Sequence, residues 1–129
     1  EEGITRKDFK SLKELVAVDH GITDLSGLEL CTELTILNLS NNRITKIKPL
    51  AQLTKVTSLN LGGNRVADLA PLANLSKLSH LDLHNNQITD VAPLKESNNL
   101  TLLDLSNNKI PDAEKEMLRK ALPNCEIFF

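Results

Sequence analysis

Apolar residues recur along the chain at a fixed interval. Leu12, Leu34, Val56, Leu78, Leu100 and Leu122 are 22 residues apart. Three positions beyond each stand Leu15, Leu37, Leu59, Leu81, Leu103 and Cys125, and two further on Ala17, Leu39, Leu61, Leu83, Leu105 and Ile127. A polar column follows, His20, Asn42, Asn64, Asn86 and Asn108, and then Ile22, Ile44, Val66, Ile88 and Ile110. A period of this length marks a stack of structural units. Within each unit the apolar-x-apolar pair has the period of a short strand. One strand per unit can bury its apolar side only against the next unit, which makes a solenoid. The columns predict parallel strands centred on 15–17, 37–39, 59–61, 81–83 and 103–105, with 125–127 as a sixth.

The asparagine amide both donates and accepts, so a column of Asn can satisfy backbone groups where successive coils bend. The second half of each unit shows no long helical pattern. Pro49, Pro71 and Pro93 recur at one position. Proline fixes φ and lacks a donor, which suits extended and 3₁₀-like turns on a convex side. The ends differ. Thr5-Arg6-Lys7-Asp8 has the shape of a helix-capping box, and Ile4, Phe9 and Leu12 could then cover the first coil. After Pro111, acids precede bases in a manner suited to a helix dipole, with Ala113, Met117 and Ala121 along one face beside Leu118 and Leu122. The expected fold is α/β, a single domain over 1–129. It has a helical cap over 1–11, 22-residue repeats over 12–110 and a helix-strand cap over 111–129. The sheet is parallel and concave and the solenoid right-handed.

The stretch LNLSNNRITKIKPLAQLTKV resembles the 22-residue class of the leucine-rich repeat family. That class includes bacterial internalin-like surface proteins and eukaryotic phosphatase-regulator-like proteins. Ile22–Leu25 and Ile88–Val91, reading I-T-D-L and I-T-D-V, are most similar to the bacterial members. The resemblance covers roughly residues 12–129. It implies a display scaffold that acts by binding other proteins, at the cell surface or secreted.

Composition narrows the choices further. The net charge of −2 excludes the basic footprint of a nucleic-acid binder. No apolar run reaches the ~18 residues of a membrane span, so no membrane insertion is expected. The first residue is Glu1 and the only methionine is Met117, so the chain is expected to be processed or cut from a longer one. Cys31 and Cys125 lie about 20 Å apart if strands are spaced at ~4.8 Å, too far for a bridge. Two buried free thiols are expected.

Candidate chemistry centres on His80-Leu81-Asp82-Leu83-His84. Side chains at i and i+2 share a strand face, so His80, Asp82 and His84 should all point to the concave side, flanked by Asn60 and Asp104 on neighbouring strands. Positions i and i+4 on a strand are ~13 Å apart, so the two His cannot share one ion. The metal set that strand geometry allows is His80, Asp82 and Asp104, but a solvated binding surface is the reading adopted and no metal or cofactor is expected. No nucleophile stands beside a His and an acid on facing columns, and no phosphate loop precedes a helix, so no enzyme is expected. The two concave columns read Glu14, Ile36, Ser58, His80, Leu102, Asn124 and Val16, Asn38, Asn60, Asp82, Asp104, Glu126. The second grades from neutral to acidic beside a basic edge of Arg43, Arg65 and Lys109. The function expected is a non-enzymatic protein-interaction module. Its binding residues would be Asn38, Asn60, His80, Asp82, His84 and Asp104, its partner a protein with a basic surface, and its state monomeric. The alternative is a spacer or surface-adhesin segment of a longer protein.

Overall fold

The computed structural model describes residues 6–129. A short helix α1 (Arg6–Ser11) leads into β1 (Glu14–Val16), β2 (Ile36–Asn38), β3 (Ser58–Asn60), β4 (His80–Asp82) and β5 (Leu102–Asp104). Helix α2 (Asp112–Ala121) and β6 (Glu126–Phe128) close the chain. The strands form one sheet in sequence order, every neighbour parallel. Short 3₁₀ turns at Leu28–Leu30, Lys48–Gln52, Ala70–Leu72 and Ala92–Leu94 carry the chain back on the opposite side. Proline is the second residue of each of the last three, and the Asp68 and Asp90 carboxylates accept the Ala70 and Ala92 N–H groups at 2.9 Å. The aspartate of the I-T-D motif is thus a turn-forming residue.

The apolar columns build the core. Leu37, Leu39, Ile44, Ile47, Leu50 and Leu53 of one coil are at most 1 % exposed, and the next two coils repeat the pattern. The first five strands begin one residue earlier than the columns predict, because the central buried Leu is flanked by two concave-facing residues, whereas β6 begins one residue later. Pairing still reaches the predicted last residue, with Leu39 N–H donating to Asn60 O at 2.8 Å.

Between coils runs a ladder of asparagines. The Asn64 amide nitrogen lies 3.0 Å from Leu39 O of the coil before and from Leu61 O of its own, and 3.3 Å from Gly62 O. Its Oδ1 accepts the Ile44 N–H at 3.0 Å. Asn42, Asn86 and Asn108 repeat the arrangement. His20, in the same column, behaves differently. Its ring is exposed, and its backbone N–H, rather than the imidazole, meets Asn42 Oδ1. The residue before each ladder position is left-handed: Asp19, Asn41, Gly63, Asn85 and Asn107, with φ from 52 to 68°. Asn and Gly tolerate that region best, which explains the recurring Asn-Asn pairs.

The last unit breaks the count. Leu103 pairs with Ile127, 24 residues on, and not with Cys125. A helix rises 1.5 Å per residue against ~3.3 Å for extended chain, so it takes more residues to span the same arc. Asp104 therefore lies opposite Phe128 rather than Glu126, and Leu102 opposite Glu126 rather than Asn124. The shift also moves Cys125 off the buried column. Cys31 is buried as expected, but Cys125 is only half-buried, and both are free.

The cap helices differ from expectation in their packing. In α2 the buried side is set by Leu118 and Leu122, with Met117 and Ala121 half-buried and Ala113 exposed. The Glu114 carboxylate accepts the Val91 N–H at 3.2 Å, and the Phe129 ring lies 4.8 Å from the Arg119 guanidinium and 5.7 Å from the Lys115 ammonium. At the other end Thr5 of the expected capping box, and Ile4 of the residues expected to cover the first coil, lie outside the described residues. Phe9 is 42 % exposed, and Leu12, Leu15, Ala17 and Ile22 are half-buried where their counterparts one coil on are sealed.

Three outcomes follow from this packing. Asn64→Ala strips partners from a buried amide N–H and several carbonyls, so unfolding free energy in urea should fall by about 1–3 kcal/mol or more. Leu118→Ala should cost about 2–5 kcal/mol, while Ala113→Ser should stay within about 0.5 kcal/mol. Burial, reinforced by Glu29 beside Cys31 and Glu126 beside Cys125, pushes both thiols above their ordinary value. Iodoacetamide at about pH 8 should accordingly label Cys125 more slowly than a free thiol, and Cys31 only on unfolding, read by mass spectrometry.

Candidate binding face

Register places Asn38, Asn60, Asp82 and Asp104 side by side on β2 to β5, half-buried at the end of each strand. Each has a local task. Oδ1 accepts the backbone N–H two residues on: Ser40 at 3.1 Å, Gly62 at 2.9 Å, His84 at 3.1 Å and Ser106 at 2.9 Å. This is the Asx turn that bends the chain out of the sheet. Asn and Asp serve it equally, so charge can change along the column without loss of the turn. Among the described residues neither Asp82 nor Asp104 is ion-paired with Lys or Arg.

The expected row of His80, Asp82 and His84 is not a row. His80 is exposed on β4 with Nδ1 3.1 Å from Ser79 Oγ. His84 lies past the strand end, where the chain has already turned. Its Nδ1 is 2.5 Å from Asp82 Oδ1, and its ring lies over Gly62 of the preceding coil. A Cβ at Gly62 would stand 2.2 Å from the imidazole Cε1, so glycine makes the seat. The group whose donor atoms converge is consequently Asp82, His84 and Asp104, all within 4.8 Å of one another. His80 drops out of the metal set read from strand geometry.

A shallow hollow of about 190 Å³ opens on the concave side of β3 to β6. It gathers Asn60, His80, Asp82 and Asp104 and adds Leu102 and Phe128. Asn38 stands one strand outside it and His84 beyond its end. The two apolar residues are the ones sequence reasoning left out of the site. The signal was Phe128-Phe129, hidden by carrying the 22-residue count through a helix. Phe128 is 46 % exposed at the acidic end of the column. At the other end Val16 and Ile36 are exposed as well, so the face is polar in the middle and apolar at both ends. Arg43, Arg65 and Lys109 are exposed beyond the ladder.

A larger hollow of about 680 Å³ lies along the first two returning arcs, with Asp24, Glu29, Lys46 and Lys48 among its walls. The Ser26 hydroxyl, and then its N–H, hold the Asp24 carboxyl below its usual value. That carboxylate shapes a turn.

Comparison with known proteins agrees with this architecture. A model of paired leucine-rich repeats matches residues 10–52, 32–74 and 54–96, and a single-repeat model matches 99–125. The chain belongs to the leucine-rich repeat family. Among solved structures it is similar to an internalin (inlF) of Listeria monocytogenes, at 30 % identity and TM-score 0.89 over 97 % of this chain and 36 % of that one. It is also similar to internalin C2 of the same organism, at 39 % identity and TM-score 0.85 over 95 % of this chain and 52 % of that one. A Leptospira interrogans leucine-rich repeat protein matches at 29 % identity and TM-score 0.71, over 95 % and 38 %. The chain thus spans between a third and about half of these neighbours' length. No curated protein matches it. Among the described residues no helix is long and apolar enough to cross a membrane.

Proposed function

We propose that this chain is a non-enzymatic protein-interaction module that binds through its concave face, at the cell surface or secreted, as a monomer. The observation that carries the reading is the column Asn38–Asn60–Asp82–Asp104–Phe128. Adjacent strands align two carboxylates, neither of them paired with a Lys or Arg among the described residues, next to an exposed aromatic ring. Concave solenoid faces are extended binding surfaces. Aromatic side chains are favoured anchors at the centre of interfaces, and uncompensated carboxylates steer a basic partner and set its register. The partner class is therefore a protein with a basic surface that also offers an apolar group to Leu102 and Phe128. Listeria internalins and the Leptospira protein share the fold, which supports a binding role by likeness. A second reading, a spacer or adhesin segment, draws on the fraction of those neighbours' length that the chain spans.

The test uses Asp82→Asn with Asp104→Asn, because Asn already makes the same turn at positions 38 and 60. The double variant should keep the circular dichroism spectrum and melting temperature of the parent. Capture of a native partner from source-cell extract should weaken, with a slower on-rate and a flatter salt dependence. Phe128→Ala should cost about 2 kcal/mol, roughly thirtyfold in Kd. Undiminished capture by both variants would favour the spacer.

A further inference from the structure

The geometry points to a metal site on this face: we propose that Asp82, His84 and Asp104 bind a divalent transition-metal ion of the zinc class. The proposal departs from the sequence expectation of no metal, and it stands independently of any protein partner.

Three observations combine. The donor atoms of the three side chains lie within 4.8 Å of one another, close enough for one ion at the ~2 Å of zinc ligation to be shared after small side-chain adjustments. The imidazole is also held in place before any ion arrives. Its ring lies over the bare Cα of Gly62, and Nδ1 faces Asp82. A metal-binding histidine benefits from a ring whose orientation is set by its surroundings. Finally, register sets Asp82 directly opposite Asp104 on the neighbouring strand, and like charges so placed are unfavourable. No Lys or Arg among the described residues is paired with either carboxylate, so a divalent cation between them would relieve the repulsion.

The donor set decides the class of ion. One imidazole nitrogen with two carboxylate oxygens suits zinc, nickel, cobalt or copper, whereas calcium and magnesium take oxygen shells. In the bound state Nδ1 offers its lone pair to the metal and Nε2 carries the single proton of a neutral imidazole. Three protein ligands leave a fourth position of a tetrahedral ion for water or for a donor from another molecule. Elsewhere along the sheet the same columns read Asn38 with Ser40 and Asn60 with Gly62, which do not supply this set.

The experiment is isothermal titration of the tag-free chain with Zn²⁺ alone, and with Ca²⁺ and Mg²⁺ as separate arms. One Zn²⁺ per chain is expected, with no comparable binding in the other two arms. His84→Ala and Asp104→Asn should each raise the Zn²⁺ Kd by about tenfold or more. His80→Ala, on β4 beside Asp82 but outside the set, should leave it within about twofold. Circular dichroism and melting temperature establish that each variant is folded, and the amide introduced by Asp104→Asn can still make the turn to Ser106. Absence of Zn²⁺ binding by the parent would overturn the site. So would unchanged affinity in folded His84→Ala, or an equal loss in His80→Ala. A protein-capture experiment that failed while Zn²⁺ binding followed this pattern would count against the interaction reading alone.

Discussion

The asparagine ladder is the interaction on which the rest depends. Every coil must turn sharply out of its strand, and the turn leaves backbone carbonyls and N–H groups inside the stack. An unpaired buried polar group costs far more than a made hydrogen bond returns. The Asn amide answers both needs from one side chain, with its NH₂ toward carbonyls of two coils and its oxygen toward an N–H of the coil before. A charged or purely accepting side chain could not do so. Because the bonds link each coil to the previous one, the ladder also sets the coil-to-coil registry. The aligned columns of the concave face inherit that registry.

A second economy operates at the strand ends. Asn38, Asn60, Asp82 and Asp104 serve the fold through one oxygen and leave the rest of the side-chain head for the groove. Fold and surface therefore use the same residues, and the choice between Asn and Asp sets charge with little structural consequence. The concave gradient from amide to carboxylate is the product of that freedom. It ends at Phe128, where α2 has pushed the final strand two residues further along the chain.

The two ends of the stack are closed unequally. At the C-terminal end Leu118 and Leu122 seal the fifth coil, and Glu114 supplies an acceptor to Val91. The Phe129 ring is clasped by Arg119 and Lys115, an attraction between cations and a ring face. At the N-terminal end, among the described residues, α1 covers the first coil only in part and a largely apolar hollow of about 420 Å³ lies between it and the first two coils. In a solenoid each coil touches only its neighbours, so the two ends make separate contributions to stability.

The architecture follows from spacing along the chain, because a period-22 pattern of Leu, Ile and Asn is satisfied by stacking one short strand per coil. The five repeat strands, the ladder, the prolines of the returning turns and the column from Asn38 to Asp104 were all legible as spacing. What spacing could not reach lies where a constant rise per residue fails or where a neighbouring coil decides. A helix in the last arc consumed two extra residues, which brought Phe128 to Asp104 and left Cys125 half-exposed. Leu118, rather than Ala113, faces the core, because the docking angle of α2 selects the side of the helix that the fifth coil can cover. His84 was read as a strand residue, yet the chain has already bent there. Only Gly62, 22 residues earlier, leaves room for its ring to lie against Asp82. Strand alternation ends with the strand, and beyond it the direction of a side chain belongs to the tertiary structure.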